Sequence, residues 1–280
     1  MDGRTGAALH LLLAVALCLL CACSLMPATP QEPAGPSETA PPVPDGGTPD
    51  AVPAEPRRAA VIDQLYTLQP NPAFIEKVTG QLEDCGFAVD LYQGDEVTVD
   101  LYRRLSGLGY RLIIFRAHSG LLSGDGDVVR KTSLFTNEEY SERKHVAAQL
   151  ADQLAKARID QRFPYVFSIR EEFVTEGMEG RFDGTVIVMM GCSCLRLEDL
   201  AGAFVSRGAS SYLGWHATVE LGYVDRATPY LLRQLCGEGV TIKSAVADTM
   251  AVVGRDPTYG ARLKYYPAGS GGRTLLKLTG

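Results

Sequence analysis

Two short stretches of this chain hold the residue types that thiol chemistry needs. His118 follows an apolar run in Ile113-Ile114-Phe115-Arg116-Ala117-His118-Ser119-Gly120. Cys192 follows another in Val186-Ile187-Val188-Met189-Met190-Gly191-Cys192-Ser193. Attack of a thiol on a carbonyl requires a cysteine, an imidazole to carry protons, and backbone donors for the developing oxyanion. The expected roles are nucleophile for Cys192 and general base or acid for His118. Ser119, Gly120 and Gly191, with the amide of Cys192, are the expected oxyanion donors or their supports. A helix expected just after Cys192 would favour its thiolate through the helix dipole.

Each residue alone has a plainer reading. A cysteine near a strand end is ordinarily a small core hydrophobe, and a lone histidine is ordinarily a satisfied polar group; the joint placement at two strand ends favours catalysis. Cys194 is an alternative nucleophile. Cys192-Ser193-Cys194 with His118 or His216 reads as a metal site, but zinc sites commonly use wider cysteine spacings, so neither metal nor cofactor is expected. A Cys192–Cys194 redox pair is a further alternative. His145 is expected mid-helix on a solvated surface. Ser123-Gly124-Asp125-Gly126-Asp127 lacks the full calcium-loop spacing and reads as a turn near the site.

The elements that must position these residues follow from apolar periodicity. Buried strands are expected over 59–63, 86–92, 111–117, 184–190 and 211–215, a short extended piece over 133–136, and an edge strand over 273–278. Helices are expected over 72–85, 97–107, 141–159, around 198–207, and over 225–235 and 242–253, the fourth stopped by Gly208. Strands alternating with helices, and strands that are near-continuously apolar, predict an α/β fold with a mainly parallel sheet flanked by helices. In such sheets the functional crevice lies at the carboxyl ends of the strands. That rule selects Asp63, His118, residues 191–194 and the segment after Trp215.

The 280 residues divide unevenly. Residues 1–22 have the layout of a signal peptide, with Arg4 followed by an apolar run too short for a comfortable membrane span. The run ends in Leu20-Cys21-Ala22-Cys23-Ser24, which resembles the lipobox of prokaryotic lipoproteins, with Cys23 as the lipidated residue. An ordinary secretory peptide with incidental cysteines is the alternative. Residues 23–58 are rich in proline and poor in large apolar residues, as a flexible tether would be. Residues 59–280 suit one α/β domain. The formal charge is −6 with no basic cluster, so nucleic acid is not an expected partner. Beyond the leader the cysteines are Cys85, Cys192, Cys194 and Cys236, able to pair in an oxidising compartment. Free thiols in an exported protein need a reason, and catalysis is one.

A histidine followed closely by glycine after one apolar strand, and a cysteine after the next, resembles the clan CD cysteine peptidases: caspases, gingipains, clostripain, separase and CHAT domains. The downstream text is similar to CHAT, clostripain and gingipain-type domains in Gly208-Ala-Ser-Ser-Tyr-Leu-Gly-Trp215, Asp225, Leu231-Leu-Arg-Gln-Leu235 and Gly239-Val-Thr-Ile-Lys-Ser-Ala245. The resemblance spans 111–253 and, with the first two strands, most of the domain. Two departures touch the oxyanion geometry: Ser119 intervenes between His118 and Gly120, and Met190-Gly191 stands where a small residue and alanine are common. The resemblance implies a caspase-like three-layer sandwich and peptide-bond hydrolysis through an acyl-enzyme on Cys192, with His118 handling protons. Relatives that cut after Arg or Lys place a carboxylate at the base of the first pocket, and Asp63, Glu220 and Asp225 are the acids placed for this. The expectation is a lipid-anchored extracytoplasmic cysteine endopeptidase, held to the membrane by its N-terminal lipid and acting on protein or peptide substrates. The alternative is a non-catalytic binding or scaffolding lipoprotein on the same fold. A solute-binding lipoprotein fits less well, because the domain is short for two lobes.

Overall fold

The computed structural model describes residues 57–122, 131–275 and 277. These all lie in the contact unit Pro53–Gly280. The signal peptide, Cys23, nearly all of the tether, and the 123–127 turn lie outside the described residues.

Strand β1, Arg57–Asp63, starts two residues earlier than expected. Arg58 is held in it by an ion pair with Asp90 and by stacking over the Tyr110 ring, 4.7 Å from its centroid. Helix α1, Pro72–Asp84, is N-capped by the Asn71 side chain and buries Phe74, Ile75, Val78 and Leu82 at helical spacing. Strands β2, Phe87–Gln93, and β3, Tyr110–Arg116, pair parallel with β1 on its two sides. Between them lies α2, Val99–Arg104. Strand β8, Val186–Met189, pairs parallel with β3, and β9, Ser211–Trp215, pairs parallel with β8. Strand β10, Leu263–Tyr266, closes the edge antiparallel to β9, giving the order β10-β9-β8-β3-β1-β2.

The sheet is mainly parallel and flanked by helices, as the alternation of apolar runs predicts. Every residue of β8 is buried; sequestering a large aliphatic side chain is worth about 1.5–3 kcal/mol. Helix α4, Asp199–Ser206, packs on β9, while α5, Leu221–Leu235, packs between α1 and α6, Ile242–Val253. Cys85 and Cys236, the residues that end α1 and α5, form a disulfide with Cα atoms 5.7 Å apart. Closing so long a loop contributes on the order of 5 kcal/mol in a chain-entropy picture.

Between β3 and β8 the chain builds a second sheet. It is antiparallel, with the order β4-β5-β7-β6, from Ser119–Leu122, Lys131–Glu139, Val166–Ile169 and Leu154–Ala157. This corrects the helix expected over 141–159. Only α3, Val146–Leu150, is helical there, because His145 (φ 49°) and Asp152 (φ 55°) take left-handed conformations that a helix cannot continue through. The extended piece expected over 133–136 is the centre of the longer β5. The expected edge strand over 273–278 is also corrected. Its described part makes only a single bridge, Thr274 to Thr241, and the edge is β10.

Candidate active site

His118 and Cys192 each stand three residues beyond an in-register pair, Phe115 and Met189, on the adjacent parallel strands β3 and β8. Both line one cavity of about 70 Å³, together with Gly191 and the apolar side chains of Leu65, Met190, Val219 and Leu221. The two residues read from strand ends are therefore brought to the same crevice at the carboxyl edge of the sheet.

The Cys192 loop is held by close fit. A Cβ on Gly191 would lie 2.3 Å from Ser119 Oγ and 2.6 Å from the Ala117 carbonyl oxygen. Only glycine lets the loop approach β3 and β4 so closely. Ser119 Oγ donates to the Cys192 carbonyl at 2.7 Å. Ser193 adopts φ 53°, and its amide donates to the Ala217 carbonyl at 3.0 Å. That turn points consecutive thiols in different directions. The Cys192 thiol exchanges long bonds with the Val219 backbone, 3.5 Å to the carbonyl and 3.5 Å from the amide. Cys194 is fully buried, accepts from the Trp215 amide at 3.0 Å and lies 3.5 Å from the Trp215 carbonyl.

Burial sets the proton affinities. It lowers His118 to about 4, with the nearby Arg116 charge adding to the effect, so the imidazole is neutral near pH 7. Burial raises the Cys192 thiol above its ordinary range, against a partial opposing effect of the Val219 amide, and pushes Cys194 up to about 12. The expected dipole-stabilised thiolate is corrected on this point. Helix α4 begins only at Asp199, too far along the chain to act on Cys192, since the dipole's influence is confined to a helix's first turn.

Three sequence-expected roles change. Ser119 and Gly120 belong to β4, opposite Leu134 and Ser133, rather than to a loop aimed at the cavity. Ser119 takes the supporting role, holding the Cys192 loop through its bond to the Cys192 carbonyl. The amides of Gly191 and Cys192, both residues of the cavity lining, donate to no other group among the described residues. Asp63 and Asp225 do not line the cavity beside Cys192, and both bond the buried Arg116. Arg116 meets Asp63 at 2.8 Å and Asp225 through two bonds of 2.9 Å. Glu220 caps α5 by accepting from the amides of Gly222 and Tyr223.

Other residues escaped sequence reasoning. The buried Gln64 accepts from the His118 amide at 2.9 Å, and its amide nitrogen donates to Asn137 at 2.6 Å. Asn137 in turn donates to the carbonyls of Gln64 and Gly94. This network fixes the His118 backbone, yet its partners are 73 residues apart and no local pattern joins them. Arg116 did leave a signal: a lone charge inside an apolar strand must find buried partners. His145 is not solvated mid-helix either; it precedes α3 and bonds Glu138 at 3.0 Å. The alternative cysteine metal set does not converge, because Cys194 faces Trp215 and the His216 ring meets the Arg262 backbone.

No protein-family model matches this chain, and no curated protein matches it.

Proposed function

We propose that this chain is a cysteine endopeptidase of the caspase-like clan CD type, with Cys192 as nucleophile and His118 as proton carrier. The observation that carries the reading is their shared cavity at the carboxyl ends of adjacent parallel strands. Cys192 Sγ attacks the scissile carbonyl carbon while its proton passes to the neutral His118 imidazole. The oxyanion faces the amides of Gly191 and Cys192. The C–N bond breaks, and His118 returns the proton to the leaving amine. Water then adds to the thioester, with His118 as base, and releases the acid. Because the thiol is held protonated, proton transfer must accompany attack rather than precede it.

The three-layer reading is supported by two groups of helices, α1 with α5 and α6, and α2 with α4 around the π-helical turn Phe173–Gly177. Export is supported by the disulfide, which persists in oxidising compartments. Lipid attachment at Cys23 rests on the leader pattern. A basic first-pocket preference has no support, since the cavity beside Cys192 is walled by Leu65, Val219 and Leu221 and the candidate acids are engaged elsewhere.

The non-catalytic scaffold reading is favoured by one observation, the raised thiol in a small cavity. Labelling with peptide acyloxymethyl ketones decides between them. A peptidase loses labelling in Cys192→Ala and keeps it in Cys194→Ala; no labelling by any peptide sequence supports the scaffold.

A further inference from the structure

A second cavity, of about 130 Å³, is lined in part by Gln64 and Phe135, both of which bond the His118 backbone. Its apolar walls come from three places: Leu68 after β1, Phe135 and Val166 in the small sheet, and Ile159, Phe163 and Pro164 between β6 and β7. Gln64, Thr67, Asp95, Asn137 and Arg158 complete the lining. A closed apolar cavity of about 150 Å³ takes up a benzene ring, so the apolar part of this one has room for a phenyl ring or a branched aliphatic group. The cavity beside Cys192, about 70 Å³, does not.

Two of the larger cavity's walls touch His118 directly. Phe135 donates its amide to the His118 carbonyl at 3.0 Å, and its ring centroid lies 6.0 Å from that of His118. Gln64, which also lines the cavity, accepts from the His118 amide. A group filling this space presses on the residues that set the position of the imidazole. The β6–β7 connection contributes Ile159, which is itself exposed, so this side of the lining reaches solvent.

We propose that this cavity binds a bulky apolar side chain of the peptide substrate, next to a scissile residue whose own side chain is small and neutral. The inference rests on the peptidase reading and names the substrate class of that site. The two cavities share no lining residue, but Gln64 and Phe135 of the larger one bond the backbone of His118, which lines the smaller one. A peptide advances about 3.3–3.6 Å per residue, and the proposal seats side chains of one extended substrate in the two cavities on either side of His118.

The test uses the full chain and acyloxymethyl ketone peptides with alanine at the acyl position and Gly, Glu, Leu or Phe at each neighbouring position in turn. Labelling of Cys192 should be at least tenfold faster with Leu or Phe than with Gly at one position. That ratio should collapse towards one in Val166→Phe, and in Leu68→Trp, which fills the space from the opposite wall. Equal rates at all neighbouring positions, or a preference that survives both fillings, would overturn the inference while leaving the peptidase reading intact. If no peptide labels Cys192, the peptidase reading fails instead. N-acetyl-phenylalanine methylamide then tests the cavity alone by NMR. Saturable shifts at Phe135 and Val166 that vanish in Leu68→Trp keep its ligand class, and their absence removes it.

Discussion

Two thiols of one loop, separated only by Ser193, live in opposite surroundings. Cys192 stands at a cavity, half-buried, with long bonds to a backbone that leaves its sulfur approachable. Cys194 is sealed in the core against β9, where a Cβ on Gly214 would come within 2.5 Å of its sulfur. Identical chemistry is thus split into a reactive candidate and a packing element by one turn of backbone. Proximity in sequence to a strand end is insufficient to mark a nucleophile; the side chain must also face space that a substrate can enter.

The sharpest way to break this contrast is to delete each sulfur. Cys192→Ala should slow labelling by a peptide acyloxymethyl ketone by roughly 100-fold or more. Cys194→Ala should leave labelling in place and lower the urea midpoint. Mass spectrometry of the labelled peptide reads the outcome directly. A label that follows Cys194 would mean that the buried thiol becomes exposed in solution.

The glycines that shape the two niches make the next test. Gly191→Ala and Gly214→Ala each force a carbon against fixed neighbours, so each should cost about 1–3 kcal/mol in urea denaturation. Only Gly191→Ala should also slow labelling, because its neighbour Ser119 Oγ anchors the Cys192 carbonyl. Equal loss of labelling in both variants would show that general loosening, not the local anchor, governs reactivity.

Acidity separates the thiols further. Burial raises Cys192, so its alkylation by iodoacetamide should keep rising with pH beyond the range of an ordinary cysteine. Peptide-ketone labelling should differ, since a thiol and a neutral imidazole can react as a pair without prior ionisation. Its rate should stay level from neutral pH down towards the His118 value of about 4, and fall below it as the ring becomes protonated and can no longer accept the proton. A bell-shaped profile centred near neutrality would instead indicate a preformed thiolate–imidazolium pair.

These distinctions divide what the residues themselves disclose from what they do not. The main sheet was legible because Val61, Ile113, Ile114 and Val186–Met189 form apolar runs that only a doubly covered strand explains. His118 and Cys192 were legible for the same reason, as polar residues at the ends of those runs. The small sheet was not. In Leu154–Ala157 the exposed Lys156 alternates with buried neighbours, but alanine and lysine are good helix formers and hide the period. Pairing with Val166–Ile169 overrides that local preference. The edge strand Leu263–Tyr266 was likewise hidden by its exposed Lys264. Gln64 and Arg116 act through partners far along the chain, so their roles emerge only once the sheet brings those partners together.

The smallest expected effect lies at the turn between the thiols. Ser193 holds φ 53°, in a region that costs a non-glycine residue about 1–2 kcal/mol. Ser193→Gly removes that cost but gives the unfolded chain more freedom, worth about 0.5–1 kcal/mol. The two terms oppose each other, and the net change in urea denaturation should fall within about 1 kcal/mol of zero. Ser193→Val has no such offset: a β-branched side chain is strongly disfavoured at positive φ, and the site is nearly closed to solvent. It should lower stability by about 1–2 kcal/mol. If the turn is what keeps the sulfurs apart, Ser193→Val should also render Cys194 alkylatable under native conditions, whereas Ser193→Gly should not. Equal protection of Cys194 in both variants would assign its seclusion to the packing against β9 alone.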